Sequence, residues 1–111
     1  MIKLWQQKVD EWIHNYGVRY FDIKTNMLLL TEEVGELSRL IARQFGEQSF
    51  KHPVTEIEVK GQIEDEIADI FFVLTCISNQ LDIDLEEVLE KNLRKKTNRD
   101  ATRHQDNAKL K

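Results

Sequence analysis

Cysteine occurs once in the 111 residues, at position 76, and proline once, at position 53. A lone thiol has no internal partner, so no disulfide framework holds this chain, and a reducing cytoplasm is the expected compartment. Four glycines are too few for a fold built on tight turns. No apolar run approaches the roughly 18 residues of a membrane span, so no membrane partner is expected. The first residues, Met1 to Gln7, carry no basic segment followed by an apolar one, and no secretory leader is expected either. Positive charge is not in excess: 16 Lys and Arg stand against 20 Asp and Glu, a net charge of −4. That balance argues against a nucleic-acid polymer as the main partner.

What remains is 41% apolar and 32% charged, a mixture that suits amphipathic helices with one stripe hidden and the other wet. The charge is unevenly placed. Residues 27–90 hold 15 of the 20 acids, whereas residues 91–111 hold 8 of the 16 Lys and Arg beside only Asp100 and Asp106. An acidic middle and a basic end suit a metal together with a phosphate-bearing ligand; a solvated helix followed by a basic tail is the plainer reading.

Apolar spacing of three and four predicts four helices. The first covers Ile2 to Tyr16 on Leu4, Trp5, Val9, Trp12, Ile13 and Tyr16, with Gly17 as its stop. The second covers Asp22 to Phe45 on a stripe of Met27, Leu30, Val34, Leu37 and Ile41, and Gly46 follows it. Residues 46–61 read as a loop. The third helix covers Gln62 to Gln80 on Ile63, Ile67, Ile70, Leu74, Ile77 and Leu81, and the run Ile70–Leu74 belongs to it rather than to a strand. The fourth covers Leu85 to Lys96, with Asp84 as N-cap and Glu86 and Glu87 in its first turn. The expected architecture is all-α, a four-helix bundle formed by residues 1–96 as one domain, with 97–111 as a polar basic tail.

Two groups of acids sit awkwardly on this pattern. Helix two carries Glu32, Glu33 and Glu36, and helix three carries Glu66 and Asp69. At about 100° per residue, Glu33 lies roughly 80–90° from the centre of its helix's stripe and Glu66 about 60° from its own. Each i,i+3 pair therefore flanks an apolar stripe instead of opposing it. If the two helices pack antiparallel, the four carboxylates converge on one rim. Such a set must take up protons or hold a cation, and hard oxygen ligands suit Mg²⁺ or Mn²⁺. Ordinary solubilising surface is the competing reading. Gly35, placed between Glu33 and Glu36, costs the helix about 1 kcal/mol relative to alanine and leaves room for a close neighbour.

The pattern Glu32-Glu33-x-x-Glu36 followed about thirty residues later by Glu66-x-x-Asp69 resembles the signature of the MazG-like, all-α nucleoside triphosphate pyrophosphohydrolases. The flanking segments Leu30 to Leu37 and Asp65 to Ile70 look like that family too, and the resemblance spans residues 22–96. It implies hydrolysis of a nucleoside or deoxynucleoside triphosphate between the α- and β-phosphates, giving monophosphate and pyrophosphate in a housecleaning role. It makes Glu33, Glu36, Glu66 and Asp69 the Mg²⁺ ligands. Glu32 becomes the acid that orients or deprotonates water, with Glu33 beside it. It puts Lys91 and Lys95 near the phosphates. Arg94 stands where the family has asparagine, although a guanidinium also grips phosphate. It further implies a homodimer or a homotetramer built as a dimer of dimers, which a small core also favours.

The remaining residues carry plainer readings. Cys76 is expected as a buried small side chain, and Trp5, Trp12 and Tyr16 as core or subunit interface. Glu11-x-x-His14 is half of a di-iron element, but the second copy that such a site needs is missing. Phe45, Phe50, Lys51 and His52 flank the long loop, where a nucleobase pocket is one option. The rival to an enzyme is a non-catalytic helical dimerisation or regulatory module whose acids only keep it soluble.

Overall fold

The computed structural model describes residues 1–111 and contains four helices and no strand: α1 Ile2–Tyr16, α2 Ile23–Phe45, α3 Glu56–Gln80 and α4 Leu85–Gln105, followed by one short 3₁₀ turn at Ala108–Leu110. Each helix starts where a side chain caps it, apart from the first. Asp22 accepts from the backbone N–H of Lys24, Thr55 from that of Glu58, and Asp84 from that of Glu87. No helix is long and apolar enough to cross a membrane.

Two boundaries differ from the sequence expectation. α3 begins at Glu56, six residues before Gln62, so the last six residues of the expected loop are helix. Thr55-x-x-Glu58 is a capping-box pattern, and the Thr55 hydroxyl accepts from Glu58 N at 3.1 Å. α4 runs to Gln105, nine residues past Lys96, so most of the expected tail is helical. Arg99 holds Asp100 through two hydrogen bonds of 2.9 and 2.8 Å, and Arg103 lies 3.6 Å from the same carboxylate. Thr55→Ala should lower stability by about 1 kcal/mol, read as a fall of roughly 4–8 °C in the melting temperature followed by circular dichroism. An unchanged melt would show that the cap does not fix the start of α3.

α3 is the spine. α2 lies along it, α1 packs on its second half, and α4 leans on α1 rather than on α2 or α3. Polar bonds pin α1 to α3: Trp5 Nε1 donates to Thr75 Oγ1 at 2.8 Å, and Gln6 Nε2 donates to Asn79 Oδ1 at 2.9 Å. The Tyr20 hydroxyl donates to Asp10 at 2.7 Å and accepts from Asn79 Nδ2 at 3.0 Å, which ties down the turn between α1 and α2. Asp10 and burial together push the Tyr20 phenol up to about 12, with burial the larger cause.

The single chain is open. Only nine residues are buried, and the radius of gyration is 17.9 Å, against about 13 Å for a closed domain of this size. The expected α2 stripe is not the face that meets α3. Leu30 and Leu37 are half-buried, but Met27, Val34 and Ile41 are exposed, and on α3 so are Ile67 and Leu74. The contact carries Asn26 and Glu33 on α2 and Glu66, Asp69 and Gln80 on α3, while these exposed apolar residues have no cover within the chain. Gly35 has open space where a Cβ would stand, so no element of the same chain makes the close approach expected there.

Candidate active site

Burying a helix against another normally excludes carboxylates from the seam, because desolvation penalises their charge. Here the α2–α3 seam contains them. Asn26 on α2 bonds Gln80 on α3 at 2.8 Å, and Glu33, seven residues further along α2, meets Glu66, fourteen residues back along α3, so the two helices run antiparallel. One turn on from Glu66, Asp69 joins them. Donor oxygens of Glu33, Glu66 and Asp69 lie within 4.8 Å of one another, with Glu33 and Glu66 half-buried and Asp69 exposed.

The cluster is electrostatically unsatisfied. Glu66 Oε2 is buried and has no hydrogen-bond partner. A hydrogen bond shared with Glu33, burial, and the charges of Glu33, Asp69 and Glu36 push the Glu66 carboxyl up to about 7. Burial and the charges of Glu33 and Asp65 raise Asp69 as well. An orphaned oxygen among close carboxylates, on two rigid helices and open to solvent on one side, fits a hard divalent cation, which would replace the missing protons.

The sign of the pH effect follows. Between the unfolded carboxyl value and about 7 the native protein holds a proton that the unfolded chain has lost, so metal-free stability falls as pH rises through that window. Asp100 works in the opposite sense: the Arg99 hydrogen bonds hold it below its usual value, and its contribution is complete above that value. With a chelator present, the melting temperature should therefore drop between pH 5 and pH 8, by about 1–2 kcal/mol of stability once solvent screening is allowed for. Added Mg²⁺ should recover more at pH 8 than at pH 5. A flat metal-free profile would contradict the crowding of Glu66.

The other expected site residues are placed less tightly. Glu36 stays outside the triad, exposed and 3.6 Å from Arg39, although its charge still reaches Glu66. Glu32 is exposed on α2. Lys91, Arg94 and Lys95 are exposed on α4, the helix that packs on α1, so one chain does not draw them into the carboxylate cluster. Cys76 is buried as expected, and burial pushes its thiol up to about 11, so it is no nucleophile. His14 lies 3.6 Å from Asp10 and apart from the Glu33, Glu66 and Asp69 cluster.

One functional candidate escaped the sequence reading. Asn26, 4% exposed, lines an apolar cavity beside the cluster. Its signal was a polar residue placed a helical turn before Leu30 on the packed side, hidden because the stripe was centred on Val34.

Comparison with known proteins bears on this geometry. Residues 21–104 match the model of a family described as the MazG nucleotide pyrophosphohydrolase domain. YpjD of Bacillus subtilis (strain 168) is 39% identical over 98 residues, covering 88% of this chain and 85% of YpjD. The crystal structure of Bacillus subtilis YpjD superposes with a TM-score of 0.73 at 37% identity, over 86% of this chain and 93% of that one. The Bacillus-conserved MazG protein, a nucleotide pyrophosphohydrolase, superposes with a TM-score of 0.72 at 33% identity, over 92% and 95%.

Proposed function

The chain belongs to the MazG nucleotide pyrophosphohydrolase family, and on that footing we propose that it hydrolyses nucleoside or deoxynucleoside triphosphates between the α- and β-phosphates with Mg²⁺, or Mn²⁺, as cofactor. The observation that carries this reading is the convergence of Glu33, Glu66 and Asp69 oxygens in a helix seam where the buried Glu66 Oε2 has no hydrogen-bond partner.

Glu33, Glu66 and Asp69 would hold the cation, with Glu36 completing the set from the next turn of α2. When bound, the ion neutralises phosphate oxygens and polarises the phosphorus centre. The chain's own residues do the rest. α2 and α3 fix the carboxylates on rigid rods, which suits a reaction that depends on positioning and charge more than on covalent chemistry. Glu32 lies one residue from the cluster and is exposed, and it orients water and takes its proton. The water oxygen bonds to phosphorus as the bridging oxygen departs with pyrophosphate, and the other product is the monophosphate. Lys91, Arg94 and Lys95, none of them in an ion pair, are the proposed phosphate ligands. We assign this activity a cytoplasmic role in removing surplus or damaged triphosphates.

We further propose that the protein works as a homodimer or a dimer of dimers. The open apolar face carrying Met27, Val34, Ile41, Ile67 and Leu74 supports this, because it repeats at helical spacing along both helices of the site.

Purified protein incubated with the common triphosphates and Mg²⁺, with products separated by ion-exchange chromatography, tests the reaction. Monophosphate with pyrophosphate is expected. Diphosphate with orthophosphate, or no turnover of any triphosphate, would overturn it.

A further inference from the structure

Beyond the carboxylates, towards the C-terminal end of α3, the α2–α3 seam opens into a cavity of about 270 Å³. Trp12, Leu29, Phe72, Val73 and Cys76 give it apolar walls, and the turn between α1 and α2 closes one end. Arg19 and Tyr20 also line it, and Asn26 is a buried amide in the wall. Its orientation is forced by a relay. The backbone carbonyl of Phe21 can only accept, so Gln80 Nε2 donates to it at 2.7 Å. That turns Gln80 Oε1 towards Asn26, which must donate through Nδ2 at 2.8 Å. Oδ1 is thereby left as a free acceptor. The neighbouring buried hydroxyls are spent: Thr75 donates to the Phe71 carbonyl and Ser78 to that of Leu74. Oδ1 accepts from no protein donor and keeps access to solvent from the cavity, so a ligand that displaces that solvent must supply a hydrogen, because an acceptor left unpaired there costs about 1–3 kcal/mol.

The cavity's position limits what the ligand is. Leu29 stands one turn before Glu33, and Phe72 and Val73 stand one turn after Asp69. Asn26 is seven residues from Glu33, about 10 Å along the helix axis, a separation that a sugar and its first phosphate bridge. The volume lies just under the range of pockets for drug-sized ligands, so it admits a ring system rather than a whole nucleotide. Aromatic edges at Trp12 and Phe72, whose centroids are 5.6 Å apart, provide an apolar lining for a flat ring.

We infer that this cavity takes the nucleobase and that Asn26, oriented by Gln80, determines base specificity by accepting a hydrogen bond from an N–H on the edge of the base. The inference rests on the pyrophosphohydrolase reading for where the phosphates lie, over Glu33, Glu66 and Asp69. It selects against bases whose inserted edge carries only acceptors or a methyl group, because Oδ1 then stays unpaired.

Two variants test it: Asn26→Leu, which removes the acceptor at constant size, and Leu29→Trp, which fills the cavity while touching no buried polar group. Each is compared with wild type for kcat and KM on the four common deoxynucleoside triphosphates. Calorimetric titration with non-hydrolysable α,β-methylene analogues, without metal, gives the same comparison independently of turnover. Wild type should discriminate between the best and worst base by about tenfold or more. Asn26→Leu should bring that ratio close to one through KM, with kcat little changed. Leu29→Trp should raise KM and the calorimetric Kd for every nucleotide by about tenfold or more. The inference is overturned if both variants fold by circular dichroism and keep the wild-type base ranking and KM. If wild type turns over no triphosphate, the reading of the reaction fails, and the calorimetric ratios alone decide the role of Asn26.

Discussion

Glu66→Gln should abolish turnover and, in the same molecule, make the metal-free protein more stable. The two effects have one cause. Glu66 is pushed up to about 7 by its shared hydrogen bond with Glu33, by burial and by neighbouring charge, and its Oε2 has no donor. An amide of the same shape replaces the orphaned oxygen with an N–H that donates to Glu33, and it removes one charge from the cluster. Above pH 7 the melting temperature should rise by roughly 4–8 °C, about 1 kcal/mol for a domain of this size. The cation loses a charged ligand, and kcat/KM should fall at least about 100-fold, since a catalytic ion contributes several kcal/mol of transition-state stabilisation. Asp69→Asn should act in the same direction. A variant within tenfold of wild type would remove the carboxylate cluster from the reaction. A variant both inactive and less stable would mean that Glu66 is structural.

The second large effect concerns assembly. Ile41 on α2 and Leu74 on α3 are each 41% exposed. Wild type should sediment at micromolar concentration as a dimer or tetramer. Ile41→Glu with Leu74→Glu should sediment at the monomer mass of about 13.2 kDa and melt at least about 10 °C lower, because two carboxylates cannot be buried in a dry interface without partners. A wild-type monomer would show that this face is simply tolerated surface, and the proposed assembly would be withdrawn.

These two predictions draw on features that differ in how legible they were. The pairing of the Glu33 and Glu66 segments could be read because i,i+3 acids beside apolar stripes are a pattern of two short windows. Which apolar residues would be buried could not be read in the same way. Met27, Val34 and Ile41 repeat as a core stripe should, yet within the chain they face solvent. Periodicity reports that a face is apolar; it does not report whether another helix of the chain packs on it. Glu33 consequently sits in the contact with α3, closer to the seam than its angle from the stripe suggested. The start of α3 was legible in Thr55-x-x-Glu58 but was masked by the loop-like residues before it. The extension of α4 past Lys96 was not legible from an apolar pattern, since 97–105 has none, and ion pairs such as Arg99–Asp100 accompany it there.

By itself the sequence determined that the chain is helical, where three of its four helices end or begin, and that acids on the second and third helices flank apolar stripes. All of these depend on neighbours within a turn or two, where spacing and capping dominate the energy. Only the tertiary structure decided that Glu36 stands outside the triad, that α4 leans on α1, and that Asn26 is buried with one oxygen unclaimed. Those outcomes depend on how α2 is rotated about its own axis against α3. That rotation is set by packing summed over the whole seam, a quantity no local window contains.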